Sequence, residues 1–270
     1  MSAIAMTRKE MLAEERRQDI LRMMEDEHVT KTSELAKHYS VSSATIRNDL
    51  RTLADHGHLQ RVHGGAITQR WLSREASYRE KAQLHAREKQ AIGRLAASMI
   101  EEGTAVFIGN GTTTMEIIRN LPSDRHLRIF TNALNHAEEL ASRSNVEAFV
   151  VGGFLRGVSL AMVGHIAKRA LEGVYFDLAF LGVNGASVEY GLTIPSLEES
   201  AIATEISRRS QRTVIVADHS KFGVLTHGKI ADLSDISMLI TDKLPDSGTR
   251  EALARWGVEV CLTNGRGGEH

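Results

Sequence analysis

The first part of the chain carries apolar residues at helical spacing, interrupted by short polar turns. Residues 11–27 predict one amphipathic helix. A second helix begins where Thr32 or Ser33 can cap it, and it ends near Tyr39. A polar turn then leads to Ser42, whose side chain can accept a hydrogen bond from the first turn of a third helix. We therefore expect three short helices in succession.

The third predicted helix, which runs to about residue 55, has one apolar face and one polar face. Ile46, Leu50 and Leu53 lie at i, i+4 and i+7, so they form a single stripe. The polar residues off that stripe are Thr45, Arg47, Asn48 and Arg51. An α-helix fits the major groove of DNA, where arginine pairs with guanine and asparagine with adenine. The spacing favours a helix-turn-helix at about residues 29–48, although a small helical bundle with a solvated polar face gives the same pattern.

A small basic hairpin is predicted after the third helix and is typical of a wing. Arg61 and His63 can meet phosphate or the minor groove, and Gly64 and Gly65 let the backbone approach closely and take positive φ. The full set of predicted DNA-binding residues is Ser42, Thr45, Arg47, Asn48, Arg51, Arg61, His63, Gly64 and Gly65.

From Lys89 onward, apolar runs alternate with helical stretches, the first of which spans residues 90–100. Runs such as residues 213–217 are apolar on both faces, as the strands of a covered parallel sheet are. The alternation predicts a mainly parallel α/β sheet. The predicted strands lie at residues 105–108, 127–130, 148–151, 175–183, 214–217, 238–241 and 258–262.

Polar and glycine-containing segments follow several of these strands. In open α/β sheets, ligands bind beyond the carboxyl ends of the strands. Residues 109–114 open a helix whose free N–H groups suit an anion, although a tight turn explains the same residues. Lys221 offers a charge for phosphate and Asp218 can accept from hydroxyls, unless the two form only a surface ion pair.

Composition excludes several classes of protein. The net charge of −1 over 270 residues rules out a polycation, so DNA binding would need a local basic patch. One cysteine, Cys261, excludes an intramolecular disulfide and suits a reducing cytoplasm. No stretch approaches the roughly 20 apolar residues of a membrane span. Among the 12 histidines, His56 and His58 form the closest pair but lack a metal-site spacing, so we expect no metal and no cofactor.

Two runs in the N-terminal region closely resemble the DeoR family of bacterial transcriptional regulators. They are S-x-x-T-I-R-x-D-L at residues 42–50 and G-x-L-x-R-V-H-G-G-A at residues 57–66. At position 48, where the family usually has a second arginine, this chain has Asn48. Further matching signatures lie at residues 111–113, 131–132, 152–153, 191–199, 217–223 and 240–242. The resemblance therefore spans both halves of the chain.

The resemblance implies a division into three parts. These are a winged helix-turn-helix domain at residues 12–67, a connector at residues 68–88, and an α/β sensor domain at residues 89–263. The sensor domain is expected to be similar to ribose-5-phosphate isomerase and CoA transferases. The connector ends in a family-like Glu88-Lys89. From its own residues it could be a solvated linker or a docking helix, and we expect a partly ordered arm because an exposed Trp71 is otherwise unfavourable.

The resemblance also implies a function. It predicts a cytoplasmic homodimer or homotetramer that represses carbohydrate or sugar-alcohol catabolism genes and leaves its operator when a phosphorylated sugar or sugar alcohol binds. The expected effector-binding residues are Gly109, Asn110, Gly111, Thr112, Thr113, Thr131, Asn132, Gly152, Gly153, Glu199, Asp218 and Lys221. The family often has Asp-Ser where this chain has Gly109-Asn110.

An enzyme is the alternative. A sugar-phosphate isomerase or transferase could use Asp218, Lys221 and Glu199 as working groups, with the N-terminal domain as an accessory. Glu198 and Glu199 also suit the N-terminus of a helix, which negative charge stabilises. We prefer a regulator without catalytic residues, because an isomerase does not need a helix-turn-helix and wing.

Overall fold

The computed structural model describes residues 12–27, 29–56, 58–62, 64–68 and 75–263. Contacts divide the chain into two compact units, with the boundary between Ala76 and Ser77. His63 and residues 69–74 of the predicted connector lie outside the described residues, and only the backbone of Arg61 is described. The domain limits at residues 12–67, 68–88 and 89–263 stay a prediction.

The N-terminal unit consists of three helices and a small sheet. Its elements are α1 (Ala13–Glu27), β1 (Val29–Lys31), α2 (Thr32–Tyr39), α3 (Ser43–Asp55), β2 (Leu59–Val62) and β3 (Gly65–Thr68). Strands β2 and β3 form an antiparallel hairpin, and β1 pairs with β3 on its other side. The three helices and the wing hairpin are confirmed. Strand β1 is not predicted by the sequence pattern, because its three residues are too few to show an alternation.

The start of α2 corrects one prediction. Lys31, and neither Thr32 nor Ser33, is the N-cap residue, and no side chain caps the helix. Lys31 is paired with Gly65 in the sheet, and Thr32 donates its N–H to the Gly64 carbonyl at 2.7 Å. The hairpin therefore satisfies the first backbone N–H of the helix here. At α3, Ser42 is the cap as predicted.

The C-terminal unit contains a parallel sheet covered by helices. Its helices are α4 (Tyr78–Gln83), α5 (Ala86–Ala97), α6 (Thr112–Arg119), α7 (Leu134–Ala141), α8 (Gly164–Ala170), α9 (Leu197–Arg208) and α10 (Ser247–Arg255). Its strands are β4 (Ala105–Ile108), β5 (Leu127–Thr131), β6 (Val146–Val150), β7 (Phe154–Arg156), β8 (Ala161–Val163), β9 (Phe176–Gly182), β10 (Gly185–Ser187), β11 (Gly191–Ile194), β12 (Ser210–Val216), β13 (Gly228–Ala231), β14 (Met238–Thr241) and β15 (Glu259–Leu262).

Seven of these strands form one parallel sheet in the order β15-β14-β12-β9-β4-β5-β6. They correspond to the seven predicted strands, so the mainly parallel α/β fold is confirmed. Two small antiparallel sheets, β7-β8 and β10-β11-β13, are not predicted because their strands are only three or four residues long. Helix α5 begins at Ala86, four residues before the predicted start, and α4 lies within the predicted connector.

The core of the C-terminal unit lies on both faces of the parallel sheet. Along β4, Val106 and Ile108 pack into one cluster, whereas Phe107 packs into the other. Successive residues of a strand face opposite sides of the sheet. A strand that is apolar at every position is therefore stable only when other elements pack on both faces of the sheet. No helix among the described residues has the length and apolar character needed to cross a membrane.

Candidate functional site

The polar face of α3 presents four of the nine predicted DNA-binding residues, and the N-cap Ser42 directly precedes the helix. Arg47, Asn48 and Arg51 are exposed, and Thr45 is half-buried. The Ser42 side chain accepts the Thr45 N–H at 3.0 Å, so the first turn of the helix is fixed. The Arg47 Nε donates to the carbonyl of Ser43 at 3.2 Å, while the rest of its guanidinium stays available. The structure therefore brings these residues together on one helix.

The buried side of α3 carries a carboxylate that ties it to α1. Asp49 is 3% exposed, and its Oδ2 accepts from Arg16 Nε at 2.7 Å. Arg17 Nε lies 3.5 Å from the other carboxylate oxygen. The orientation of the polar face thus depends on a buried ion pair. The hydrophobic period gives no signal for this role, because it predicts apolar residues on that side of a helix.

The wing is shaped by two glycines with different requirements. Gly64 has φ of +83°, in the left-handed region that side chains disfavour. A Cβ on Gly65 would lie 2.0 Å from the carbonyl oxygen of Thr30 in β1. The close backbone approach seen here is to strand β1 within the chain, and the approach of the wing to DNA stays a prediction.

At the rim of the parallel sheet, the ends of β4 and β5 are joined by a pair of asparagines. The Asn110 N–H donates to Asn132 Oδ1 at 3.0 Å, and Asn132 Nδ2 donates back to Asn110 Oδ1 at 3.2 Å. Neighbouring parallel strands end at the same edge, which is why residues 22 positions apart can meet. Asn132 is buried, and Asn110 is half-buried.

Glu199 reaches the same rim from the first turn of α9. Its Oε2 accepts from Asn110 Nδ2 at 3.0 Å, and its Oε1 accepts from Arg156 and Ser159. The carboxylate is only 7% exposed, so these contacts balance its charge. The Glu199 carboxylate is placed so that it orients the Asn110 side chain. A helix N-terminus role is also supported, because the Glu199 N–H donates to the capping Ser196.

The other residues after β4 and β5 occupy different surroundings. Gly111 is the N-cap residue of α6, and Thr112 and Thr113 form its first turn. The Thr131 hydroxyl is buried and lies 3.0 Å from Nδ1 of the buried His136. Gly109, through its N–H, donates to the carbonyl of Phe180 in β9 at 2.9 Å. Gly152 and Gly153 follow the edge strand β6, and within the described residues no hydrogen bond links them to the other rim residues.

The segment after β12 forms a second, charged part of the rim. Asp218 is completely buried, and its Oδ1 accepts from the N–H and hydroxyl of Ser220. Lys221 Nζ lies 3.8 Å from Oδ2, so the two residues form the ion pair that the sequence allowed as an alternative. It is not a simple surface pair, because the carboxylate is buried. Burial acts to raise the pKa of Asp218. Lys221, the Ser220 hydrogen bond and the neighbouring basic groups outweigh burial, and the net pKa is lowered.

Three further side chains at this charged rim are not among the predicted site residues. Lys89 is 3% exposed, its Nζ donates to the Lys81 carbonyl, and burial followed by the charge of Lys221 lowers its pKa to about 8. The rings of His85 and His219 meet edge to face at 5.0 Å. The early start of α5 explains the omission of His85 and Lys89, because the sequence pattern places residue 85 in the connector and residue 89 at its end. The family-like Glu88-Lys89 was the one sequence signal that could have indicated Lys89 as a site residue.

Comparisons with known proteins cover both units. A family model described as "DeoR-like helix-turn-helix domain" matches residues 16–70, and one described as "DeoR C terminal sensor domain" matches residues 84–243. The HTH-type transcriptional regulator GlpR of Haloferax volcanii is 38% identical over 250 residues, which are 93% of this chain and 98% of that protein. The putative aga operon transcriptional repressor of Escherichia coli O157:H7 is 32% identical, over 92% of this chain and 93% of its own.

Among solved structures, ribose 5 phosphate isomerase A from Neisseria gonorrhoeae aligns with 52% of this chain and 53% of its own. The identity is 18% and the TM-score is 0.35. This similarity is too low to bear on function.

Proposed function

The chain belongs to the DeoR family of transcriptional regulators, and from this premise we propose that it represses genes of carbohydrate or sugar-alcohol catabolism until a phosphorylated sugar effector binds. The observation that carries the proposal is the pairing, in one chain, of an exposed Arg-bearing α3 with a rim that holds two lysines beside a buried carboxylate. One of the relatives is named as an operon repressor. We place the protein in the cytoplasm, acting as a homodimer or homotetramer.

On the DNA side, the proposal assigns base reading to the exposed residues of α3. Arg47 and Arg51 suit guanine, and Asn48 suits adenine, because their side chains can form paired hydrogen bonds with those base edges. Ser42 and Thr45 at the helix start, with Arg61, His63 and Gly64 of the wing, would contact the phosphate backbone. The buried Gly65 would shape the wing by packing against β1. A symmetric dimer would place two such helices about one helical turn of DNA apart.

On the effector side, the proposal assigns the phosphate to positive groups and the sugar to neutral ones. Lys221 and Lys89 supply charge, and the free N–H groups at Gly111, Thr112 and Thr113 supply donors. Asp218, Asn110 and Asn132 suit hydroxyls. The remaining candidates, which shape this surface or extend it along the rim, are Gly109, Thr131, Gly152, Gly153 and Glu199.

Two measurements on the purified protein test this function. Fluorescence anisotropy with the DNA upstream of its own gene should show binding that weakens with salt, and the right sugar phosphate should reduce it. Coupling between two such sites typically amounts to about 1–3 kcal/mol, or roughly 5–150-fold in affinity. A thermal-stability panel of sugar and sugar-alcohol phosphates identifies the effector, because a ligand at 100 times its Kd adds about 2.7 kcal/mol.

Lys221→Ala is the informative variant for this experiment. It should bind operator DNA as the parent does and resist release by the effector. Failure to bind any upstream DNA in a salt-dependent way would refute the regulator, whereas a flat ligand panel would refute only the effector class.

The alternative of a sugar-phosphate isomerase or transferase draws less support from the geometry. Of its three working groups, Glu199 is held by Arg156, Ser159 and Asn110 and has little freedom to transfer a proton. Turnover of pentose phosphates at ordinary enzymatic rates would overturn our preference.

A further inference from the structure

Three metal-ligating side chains meet at the charged rim. One ligand atom from each of His85, Asp218 and His219 lies within 4.8 Å of the other two. Across the part of the chain that the structure describes, no other group of three His, Cys, Asp or Glu side chains meets in this way. Contrary to the expectation of no metal from the spacing of histidines along the chain, we infer that this cluster binds a divalent transition-metal ion of the zinc class, with two imidazoles and one carboxylate as ligands.

The backbone holds the three ligands on two converging segments. His85 is the N-cap residue of α5 and adopts φ of +53°, a conformation that few residues other than glycine take. Asp218 and His219 follow β12, where Asp218 caps a short 3₁₀ turn. Because one segment is a helix start and the other a strand end, the ligands are positioned by regular structure on both sides.

One oxygen of the Asp218 carboxylate provides an independent sign of a missing hydrogen-bond partner. Its Oδ1 is satisfied by Ser220, but its Oδ2 is buried and has no hydrogen-bond partner among the described residues. Lys221 Nζ lies 3.8 Å from this oxygen, which is beyond hydrogen-bond distance. A buried carboxylate oxygen without a hydrogen bond is costly, and coordination of a cation would satisfy it.

His219 already has the support that metal-binding histidines need. The ring Nδ1 of His219 lies 2.6 Å from Asp242 Oδ2, and the backbone N–H of His219 donates to Asp242 Oδ1 at 2.7 Å. A carboxylate bonded to one ring nitrogen fixes the imidazole and leaves the other nitrogen, here Nε2, to ligate. Asp242 follows β14, the neighbour of β12, so the sheet itself aligns this pair.

The neighbouring lysines determine which ions and affinities to expect. Lys221 and Lys89 oppose any cation, so the site should be weaker than a closed structural zinc site. Two imidazoles favour Zn²⁺, Co²⁺ or Ni²⁺, whereas Mg²⁺ and Ca²⁺ prefer all-oxygen ligands. Three protein ligands also leave a position open for water or another oxygen donor.

Co²⁺ titration of the full-length protein, after treatment with a chelator and without any sugar phosphate, tests the site. We expect one Co²⁺ per chain, with the visible absorption of an imidazole-bound ion, displaced by Zn²⁺ and not by Mg²⁺. His85→Asn keeps a residue that tolerates positive φ, and His219→Asn keeps a donor for Asp242. Each variant should weaken binding by more than about tenfold.

Two controls make the outcome decisive. His227→Asn, at an exposed histidine elsewhere in the chain, should leave Co²⁺ affinity unchanged. Lys221→Met should tighten binding, since it removes the opposing charge, and this holds even if a histidine variant folds poorly. Absence of stoichiometric binding, survival of full affinity in His85→Asn, or no gain in Lys221→Met would each overturn the inference. Because no sugar phosphate is present, these outcomes are separate from those for the proposed effector.

Discussion

The polar face of α3 and the rim of the parallel sheet obtain their side chains in opposite ways. On α3, Arg47, Asn48 and Arg51 come from one helix and are exposed to solvent. At the rim, groups such as Asn132 and Asp218 come from different strand ends and are buried. Exposed residues can be substituted without disturbing the core, whereas substitution of a buried polar residue leaves its hydrogen-bond partners unsatisfied. We therefore expect DNA specificity to be separable from stability, and effector recognition to be tied to it.

The largest expected effect concerns the support of α3. Asp49→Ala leaves Arg16 buried without its carboxylate, and breaking a buried pair in this way typically costs about 3–5 kcal/mol. The N-terminal unit should lose most of its stability while the C-terminal unit keeps its own. Hydrogen exchange measured peptide by peptide reports the two units separately, and α1 and α3 should lose their protection.

Asp55→Ala is the matched control, because this aspartate lies on the same helix and is exposed. It should change stability by less than about 0.5 kcal/mol. Equal losses in the two variants would show that the ion pair with α1 is not what holds the helix.

Local signals account for the parts of the molecule that the sequence predicts well. The cap at Ser42, the end of α3 at Asp55 and the apolar run of β4 depend on neighbours in the chain, and all three are confirmed. The Arg16–Asp49 pair spans 33 residues and the Asn110–Glu199 bond spans 89, so neither leaves a local pattern. The fold can thus be inferred from periodicity, but the pairing of buried polar groups cannot.

The second prediction concerns the buried histidine under the rim. Burial lowers the pKa of His136 to about 4, against about 6.5 in an unfolded chain. Between these values the unfolded state binds more protons than the folded state. The contribution of neutral His136 to the free energy of unfolding is therefore fully present above about pH 6.5. It falls as the pH drops toward 4, by about 3 kcal/mol in total. Urea unfolding at a series of pH values measures this loss.

Carboxylates also contribute to acid unfolding, so the difference between variants is the useful quantity. His136→Asn keeps a polar atom for Thr131 and should flatten the pH dependence between 6.5 and 4. His126→Asn, at an exposed histidine, should leave the curve unchanged. If both variants follow the parent, the pKa of His136 is not depressed and the rim tolerates its charge.

The third prediction tests the separability of the reading face. Arg47→Ala should weaken operator binding by about 1–3 kcal/mol and relax specificity at one base pair, with no change in thermal stability. Anisotropy titrations with a set of single-base operator variants measure both effects. Arg22→Ala removes an arginine from α1 that is also exposed, and it serves as the charge control. A uniform loss across all DNA sequences would make Arg47 a phosphate contact.

The smallest expected effect is a proton taken up at the rim. Lys89 has a pKa of about 8, so about half of the molecules carry a neutral Lys89 at pH 8. A bound phosphate favours the charged form and raises that pKa, so binding should take up as much as about half a proton per chain. Calorimetry of the stabilising sugar phosphate, in two buffers of different ionisation enthalpy, gives the number directly. Lys89→Met should abolish the uptake, whereas Lys229→Met, at an exposed lysine, should preserve it. Binding without uptake in the parent protein would place the phosphate away from Lys89 and leave Lys221 and the start of α6 as its ligands.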